Sequence, residues 1–175
     1  YSQGFKGGGF DPRGSANITP NTDGVAGPPS YAEIYDFFLF EPETVDSYEV
    51  GIKGSLFDRA FTYALTGFYA DYTNVQVPGS AGFDSNGDGV NDTFIGVTTN
   101  AGKAEFKGLE LEGAFKVSKD TKIQVGYGFL SAKFDKFLSP GLSGVTVDAA
   151  SNLEVGYAPK HTLNLNVESN LTKTE

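Results

Sequence analysis

Hydrophobic and polar residues alternate with a period of two in five segments of the chain. The segments span about 43–56, 61–77, 101–117, 122–134 and 161–171. A period of two places alternate side chains on opposite faces of a β-strand, and most of these segments carry apolar residues on one face and polar residues on the other. We therefore predict five β-strands, each with an apolar side and a polar side.

One predicted strand contains an irregularity. Phe106 and Leu109 are both apolar but out of step with each other, and Gly108 lies between them. A glycine at a break in a strand pattern is typical of a β-bulge. The sequence therefore predicts a bulge at Gly108.

The connections between the predicted strands alternate strictly in length. Tight turns are predicted at 57–60 and 118–121, and long loops at about 8–42, 78–99 and 135–158. Successive connections of an antiparallel sheet lie at opposite ends, so all the long loops share one end. Outer-membrane β-barrels have this asymmetry, with short periplasmic turns and long extracellular loops.

The predicted fold is therefore all-β, an antiparallel up-and-down transmembrane β-barrel segment of about five to six strands with long extracellular loops. This number is too small for closure, because the smallest such barrels have about eight strands. We expect the remaining strands of the barrel to lie outside this sequence.

Negative charge is concentrated in the long loops. The three long loops hold eleven acidic residues against Arg13 and Lys136, which accounts for the whole net charge of −9. The strands and tight turns together are neutral. On three of the five strands the apolar face has no charged residue between its ends, as a lipid-facing surface requires.

Aromatic residues are predicted at both ends of the strands. Phe57, Phe61 and Phe115 lie near tight turns, and another four lie near long loops: Tyr69, Tyr72, Phe106 and Phe134. Outer-membrane barrels place aromatic girdles at these two levels. The alternative is that aromatic side chains simply favour β-strands.

Composition excludes several other classes. The chain has no cysteine, so it forms no disulfide and no thiolate metal site. Its negative charge argues against a nucleic-acid partner. No apolar run approaches the roughly 20 residues of a membrane-spanning helix.

Several segments of the chain resemble the barrel of TonB-dependent receptors, in the order in which that family has them. They are 2–10, 42–54, 68–72, 100–113 and 157–163, and the most specific reads NAGKAEFKGLELEG at 100–113. The resemblance implies a barrel of about 22 strands that holds an N-terminal plug. It also implies a bacterial outer-membrane location and active, TonB-energised import of a scarce nutrient such as an iron–siderophore complex.

Under this interpretation residues 1–175 are part of the barrel domain, and the plug and the rest of the barrel lie elsewhere. The expected partners are outer-membrane lipid, the inner-membrane TonB complex acting through the plug, and a small-molecule nutrient. Two alternatives stay open: a passive porin-type channel, and a soluble calcium-binding adhesive β-domain.

The second long loop contains a motif that resembles a calcium-binding loop. Oxygen ligands at the required spacing come from Asp84, Asn86, Asp88 and Asp92 and from the carbonyl of Val90. Ile95 stands where such loops usually carry a bidentate glutamate. Calcium is therefore one candidate ligand, and a solvated acidic turn is the alternative.

The first long loop contains aromatic residues at helical spacing. Tyr31, Tyr35 and Phe38 are candidate ligand contacts at the barrel mouth. The alternative is a short helix that packs against neighbouring loops.

The remaining polar residues indicate no catalytic site. His161 is the only histidine and is interpreted as an ordinary residue at the start of a strand. Glu110 and Glu112 share one strand face and are assigned to a charged lumen wall. We see no catalytic triad and no phosphate-binding loop, so we do not expect an enzyme.

Overall fold

A computed structural model gives the arrangement of residues 1–14, 19, 21, 27–83, 93–140 and 146–170. The elements in chain order are β1 (Ser2–Lys6), β2 (Gly9–Phe10), α1 (Tyr31–Phe38), β3 (Leu39–Phe40), β4 (Glu43–Leu56), β5 (Phe61–Phe83), β6 (Thr93–Lys116), β7 (Thr121–Pro140), β8 (Thr146–Asp148), a 3-10 helix (Ala150–Asn152) and β9 (His161–Ser169). Among these residues, no helix combines the length and the apolar character needed to cross a bilayer.

The main sheet is antiparallel and follows the order of the chain. Its strands pair as β1-β4-β5-β6-β7, and β7 continues the sheet by pairing with both β8 and β9. The sheet is open, and its long strands each pair with their sequence neighbour, which confirms the predicted fold class. The strand β1 and the short pair β2–β3 were not predicted, because they are too short to show a clear alternation.

One face of the sheet is apolar over most of its height. The register aligns its residues in rows across the strands. One row is Leu56, Phe61, Phe115, Ile123 and Val167, and another is Ile52, Leu65, Leu111, Tyr127 and Leu163. We call this side of the sheet the apolar face.

Nothing in the described part of the chain covers the apolar face. Val50 and Leu163 on this face are 77% and 75% exposed. The hydrophobic residues that are buried in the described ranges are Phe38, Val97 and Ala104, and none of them belongs to these rows. A soluble sandwich buries such a face against a second sheet, whereas a barrel strand turns it toward lipid.

The opposite face is polar in the half nearer the tight turns, which we call the lower half; the upper half lies toward the long connections. One row there is Ser55, Thr62, Ala114, Gln124 and Asn166, and the next is Lys53, Ala64, Glu112, Gly126 and Asn164. We call this side the lumen face. Glu110 and Glu112 both lie on it, in the position predicted from the alternation.

The upper boundary of the apolar face descends across the sheet. The last apolar rows end at Tyr48 and Tyr69 on β4 and β5, and one row lower, at Leu109 and Phe129, on β6 and β7. On β9 the boundary is lower again by one row, at Leu163. The boundary therefore drops by one row for every two strands.

The bulge predicted at Gly108 is wrong. The register runs without a shift through Gly108 on both sides, and the irregularities lie near Asn74 and between Lys103 and Ala104. Gly108 is needed for a different reason. A Cβ atom there would lie 2.2 Å from the carbonyl oxygen of Phe129 and 2.7 Å from the ring of Phe68.

The second predicted loop, 78–99, is mostly strand. β5 and β6 continue as a two-stranded ribbon from the pair Val77–Thr99 to the pair Phe83–Thr93. A ribbon that projects beyond the bilayer meets similar surroundings on both faces, so it needs no period-two hydrophobic pattern. Strand β7 likewise runs to Pro140, beyond its predicted end at 134.

The predicted upper aromatic girdle is correct only in part. Tyr69 lies on the apolar face, opposite Tyr48, with ring centroids 6.4 Å apart. Tyr72, Phe106 and Phe134 lie on the lumen face, because their register positions alternate with those of the apolar rows. Distance from the turns alone did not distinguish the two faces.

Candidate functional site

The end of the sheet that carries the long connections holds a compact assembly around helix α1. The helix begins at Tyr31 because the Ser30 side chain accepts a hydrogen bond from the Glu33 N–H at 3.3 Å. In return the Glu33 carboxylate accepts one from the Ser30 N–H at 2.8 Å. Such a reciprocal capping box satisfies backbone donors that the first turn otherwise leaves unpaired.

The three aromatic residues predicted as ligand contacts lie on different sides of helix α1, one of them buried and two exposed. Phe38 is 0% exposed and packs against Phe10 and Phe37, with ring centroids 5.8 and 5.1 Å away. Tyr31 and Tyr35 are 93% and 53% exposed. The structure therefore brings Tyr31 and Tyr35 to the surface and places Phe38 in the small core beneath them.

A buried carboxylate fastens this assembly to the ribbon of β5 and β6. Asp11 accepts hydrogen bonds from the Arg13 Nε at 2.8 Å and from the Thr98 N–H at 2.8 Å, and Arg13 Nη2 completes an ion pair. These bonds hold the pKa of Asp11 below its usual range, with the Arg13 side chain as the largest cause. Val97, which precedes Thr98, is buried.

A second polar contact joins the first long connection to the sheet. The Gln76 amide donates to the carbonyls of Gly7 and Glu41 at 3.0 and 2.9 Å, and its backbone N–H donates to the Glu43 carboxylate at 2.8 Å. Asn100 adds a reciprocal pair with the Glu41 backbone. The strand irregularity at this level lies beside Gln76 and Asn100, the two residues that bond to the loop.

A shallow groove of about 540 Å³ lies on the exposed side of this assembly. Its lining is mostly apolar, with one carboxylate: Gly8, Gly9, Phe10, Tyr35, Leu39, Phe40, Glu41 and Pro42. Tyr35 stacks on Phe10 with centroids 5.9 Å apart and an interplanar angle of 23°. An apolar lining of this kind suits an aromatic or apolar group. The chain on either side of the groove is tied down by Asp11, which bonds to the Phe38 backbone, and by Gln76, which bonds to the Glu41 backbone.

The lumen face offers a second candidate surface. Its charged wall was predicted from the sequence, but its aromatic part was not. Its upper part carries aromatic side chains, and Tyr72 and Phe106 meet edge to face at 5.2 Å. Its lower part forms a groove of about 850 Å³ in which the charged side chains are Lys53, Arg59, Glu112 and Lys122. The signal for the aromatic part was the out-of-step Phe106, which is out of step because it lies on the lumen face and not because of a bulge.

The remaining candidates are placed as follows. The proposed calcium ligands Asp84, Asn86, Asp88, Val90 and Asp92 lie outside the described residues. His161 lies on the apolar face, where its Nδ1 and the Tyr127 hydroxyl are 2.8 Å apart and its ring is 5.4 Å from that of Phe129. These contacts give His161 a packing role in the strand.

The chain matches a known protein family. The family model described as "TonB dependent receptor-like, beta-barrel" matches residues 1–172 of the chain. The match covers nearly the whole sequence, including both the apolar and the lumen face of every long strand.

Proposed function

We propose that this chain, which belongs to the TonB-dependent receptor β-barrel family, is part of a receptor that imports a scarce nutrient with energy from an inner-membrane TonB complex. The family is one of outer-membrane receptors and transporters, and not of enzymes. An iron–siderophore complex is the nutrient that we propose first, and a bacterial outer membrane is the proposed location.

The observation that best supports a membrane transport role is the uncovered apolar face. Its rows are exposed in the described chain, and the opposite face carries lysine, glutamate and asparagine at matching heights. Lipid on one side and an aqueous lumen on the other account for both faces together. In a receptor of this family, we propose that a plug occupies the lumen and contacts the lumen-face groove near Lys53 and Glu112.

We propose the groove beside helix α1 as a point of ligand capture. Tyr31 and Tyr35 are exposed, and Phe10 and Leu39 are partly exposed. Phe10 packs on the buried Phe38 and stacks on Tyr35. A fixed aromatic surface binds a planar or apolar ligand at low entropic cost. Phe38 supports this surface and does not itself contact the ligand.

The test is an uptake assay with the full-length receptor in cells. Iron-depleted cells receive a hydroxamate or a catecholate siderophore that carries radioactive iron. We expect surface binding to require the receptor, and accumulation inside the cell to require both the receptor and the inner-membrane TonB complex.

The outcomes separate the possible functions. Accumulation that continues after deletion of the TonB complex would show a passive channel. If cell growth depends on the receptor and on the TonB complex but the receptor binds neither siderophore, active import remains the proposed function. Iron chelates are then rejected as the cargo.

A further inference from the structure

The groove beside helix α1 contains one charged side chain, that of Glu41. Asn100 holds the Glu41 backbone in both directions: its Oδ1 accepts from the Glu41 N–H at 2.7 Å, and its Nδ2 donates to the Glu41 carbonyl at 2.9 Å. The Asn74 side chain donates to the Glu41 Oε2 at 3.1 Å. An ionised carboxylate offers about four acceptor sites. The groove therefore presents a carboxylate that two strands hold in place and that keeps acceptors for a ligand.

No cation neutralises this carboxylate in the part of the chain that the structure describes. Glu41 belongs to none of the ion pairs found there. The two basic residues of the same region lie against other acids: Arg13 pairs with Asp11, and Lys6 is opposite Glu43 in the register of β1 and β4. A positive charge from a ligand can therefore be placed beside Glu41 without displacing an existing ion pair.

The surroundings of the groove are negatively charged as a whole. Residues 1–14 and 27–43, which form the groove and its support, hold five acids and two bases, for a net charge of −3. The facing ribbon has no charged residue at 74–83 or 93–100. The next base along β6 is Lys103, and the net charge stays negative when it is included. A field of this sign attracts cations and repels anions.

Two aromatic rings in the same groove supply a second means of binding a cation. Tyr35 and Phe10 stack with ring centroids 5.9 Å apart, and the two residues are 53% and 40% exposed. The face of an aromatic ring carries negative charge density, and it attracts an ammonium or guanidinium group within about 6 Å of its centre. Because the rings and Glu41 line one groove of about 540 Å³, a single ligand can contact both.

We propose that this groove selects ligands in which an ammonium or guanidinium group adjoins an apolar part, with Glu41 as the residue that determines specificity. The inference rests on the proposed role of the groove in ligand capture, and it narrows the cargo to molecules that carry an organic cation. The same charge disfavours polyanionic chelates such as ferric tris-catecholates. A bare metal ion such as calcium needs about six to eight oxygen ligands, whereas this mostly apolar lining has one carboxylate.

Equilibrium dialysis with the purified full-length receptor in a non-ionic detergent tests this inference. The probes are the radioactive ferric complex of a linear trihydroxamate that ends in a primary amine, and the same complex after acetylation of that amine. Acetylation removes the positive charge and keeps the rest of the molecule. We expect the amine form to bind roughly tenfold more tightly at low salt, since a cation–π contact and an exposed ion pair each contribute a factor of about two to five.

Three variants locate the preference in the groove. Glu41→Gln keeps the shape of the side chain, and it should weaken binding of the amine form by a factor of about two to five while leaving the acetylated form unchanged. Tyr35→Leu keeps an apolar side chain but removes the ring, so it should also reduce the preference. Asp36→Asn removes a charge from helix α1 outside the groove lining, and it should leave the preference nearly unchanged.

The outcomes distinguish this inference from the proposed function itself. Equal affinity for the two forms, or a preference that Glu41→Gln leaves intact, would overturn the inference while TonB-dependent uptake of either form would still support iron import. If the receptor binds and imports neither form, both the inference and the iron cargo are rejected.

Discussion

Asp11 and Thr98 are 87 positions apart in the chain, and the Thr98 N–H donates to the Asp11 carboxylate at 2.8 Å. This bond ties the first long connection to the ribbon of β5 and β6. The groove next to helix α1 is therefore supported by the barrel strands through a buried ionised group, and not by loop contacts alone.

We expect Asp11→Asn to loosen this connection in the full-length receptor. The amide cannot pair with Arg13 and accept from Thr98 as strongly, and hydrogen bonds to charged groups contribute about 1.5–3 kcal/mol. Limited proteolysis should cut the first loop faster, and hydrogen exchange at Thr98 should rise. Asp36→Asn, on an exposed position of helix α1, is the control and should change neither.

The same carboxylate predicts a pH dependence of the loop. Its pKa is lowered from an ordinary value of 3.8. A lowered pKa in the folded state stabilises the loop above the unfolded value, and that contribution is lost as the pH falls through the folded value. Loop protection measured by proteolysis should thus be constant from pH 7 to about pH 4, and should decline only in stronger acid. A decline already at pH 5–6 would contradict this assignment.

The two faces of β9 should respond differently to charge. Leu165 lies on the apolar face and Asn164 on the lumen face. Leu165→Arg should destabilise the folded receptor by about 2–4 kcal/mol if it lies near the midplane of the bilayer, whereas Asn164→Arg should cost much less. Refolding into lipid vesicles at increasing urea concentrations measures both, and equal effects would show that the faces are assigned wrongly.

Gly108 and Gly126 provide a matched pair on the lumen face. A Cβ atom at Gly108 would collide with the backbone of Phe129, whereas at Gly126 the nearest atom is the Asn164 Cβ at 3.8 Å. We expect Gly108→Ala to lower the urea midpoint of unfolding clearly, and Gly126→Ala to leave it nearly unchanged. Similar midpoints for the two variants would mean that β6 and β7 are not so close.

The calcium motif stays a prediction from the sequence. Because a bidentate glutamate is absent at its last position, we expect a dissociation constant on the order of 10⁻⁴–10⁻³ M. Calorimetric titration of the full-length receptor should detect this binding, and Asp88→Ala should abolish it while Asp36→Ala should not. Identical heats for the two variants would leave the segment as an acidic turn.

Alternation predicted the long strands well wherever one face meets lipid. The bounds of β4 agree with the prediction, since apolar and polar environments differ across that strand along nearly its whole length. The prediction failed above the bilayer, where β5 and β6 continue past Val77 without such a contrast.

The candidate site was harder to predict than the strands. Helical spacing identified helix α1 and its three aromatic residues, but spacing alone does not say which of them a neighbouring loop covers. Phe38 is buried by Phe10, a residue 28 positions earlier in the sequence. The role of Asp11 depends on Thr98 in a distant strand, and no local pattern indicates that pairing.

The tilt of the strands in the membrane can be read from the descending boundary of the apolar face. One row is about 6.8 Å along a strand, and two strand spacings are about 9.6 Å. Since the boundary follows the membrane plane, the strands lean from the membrane normal by about 35°, which is within the usual range for outer-membrane barrels. Depth in the bilayer thus depends on strand and row together: Tyr48 on β4 and Leu163 on β9 lie at the same depth although they belong to different rows.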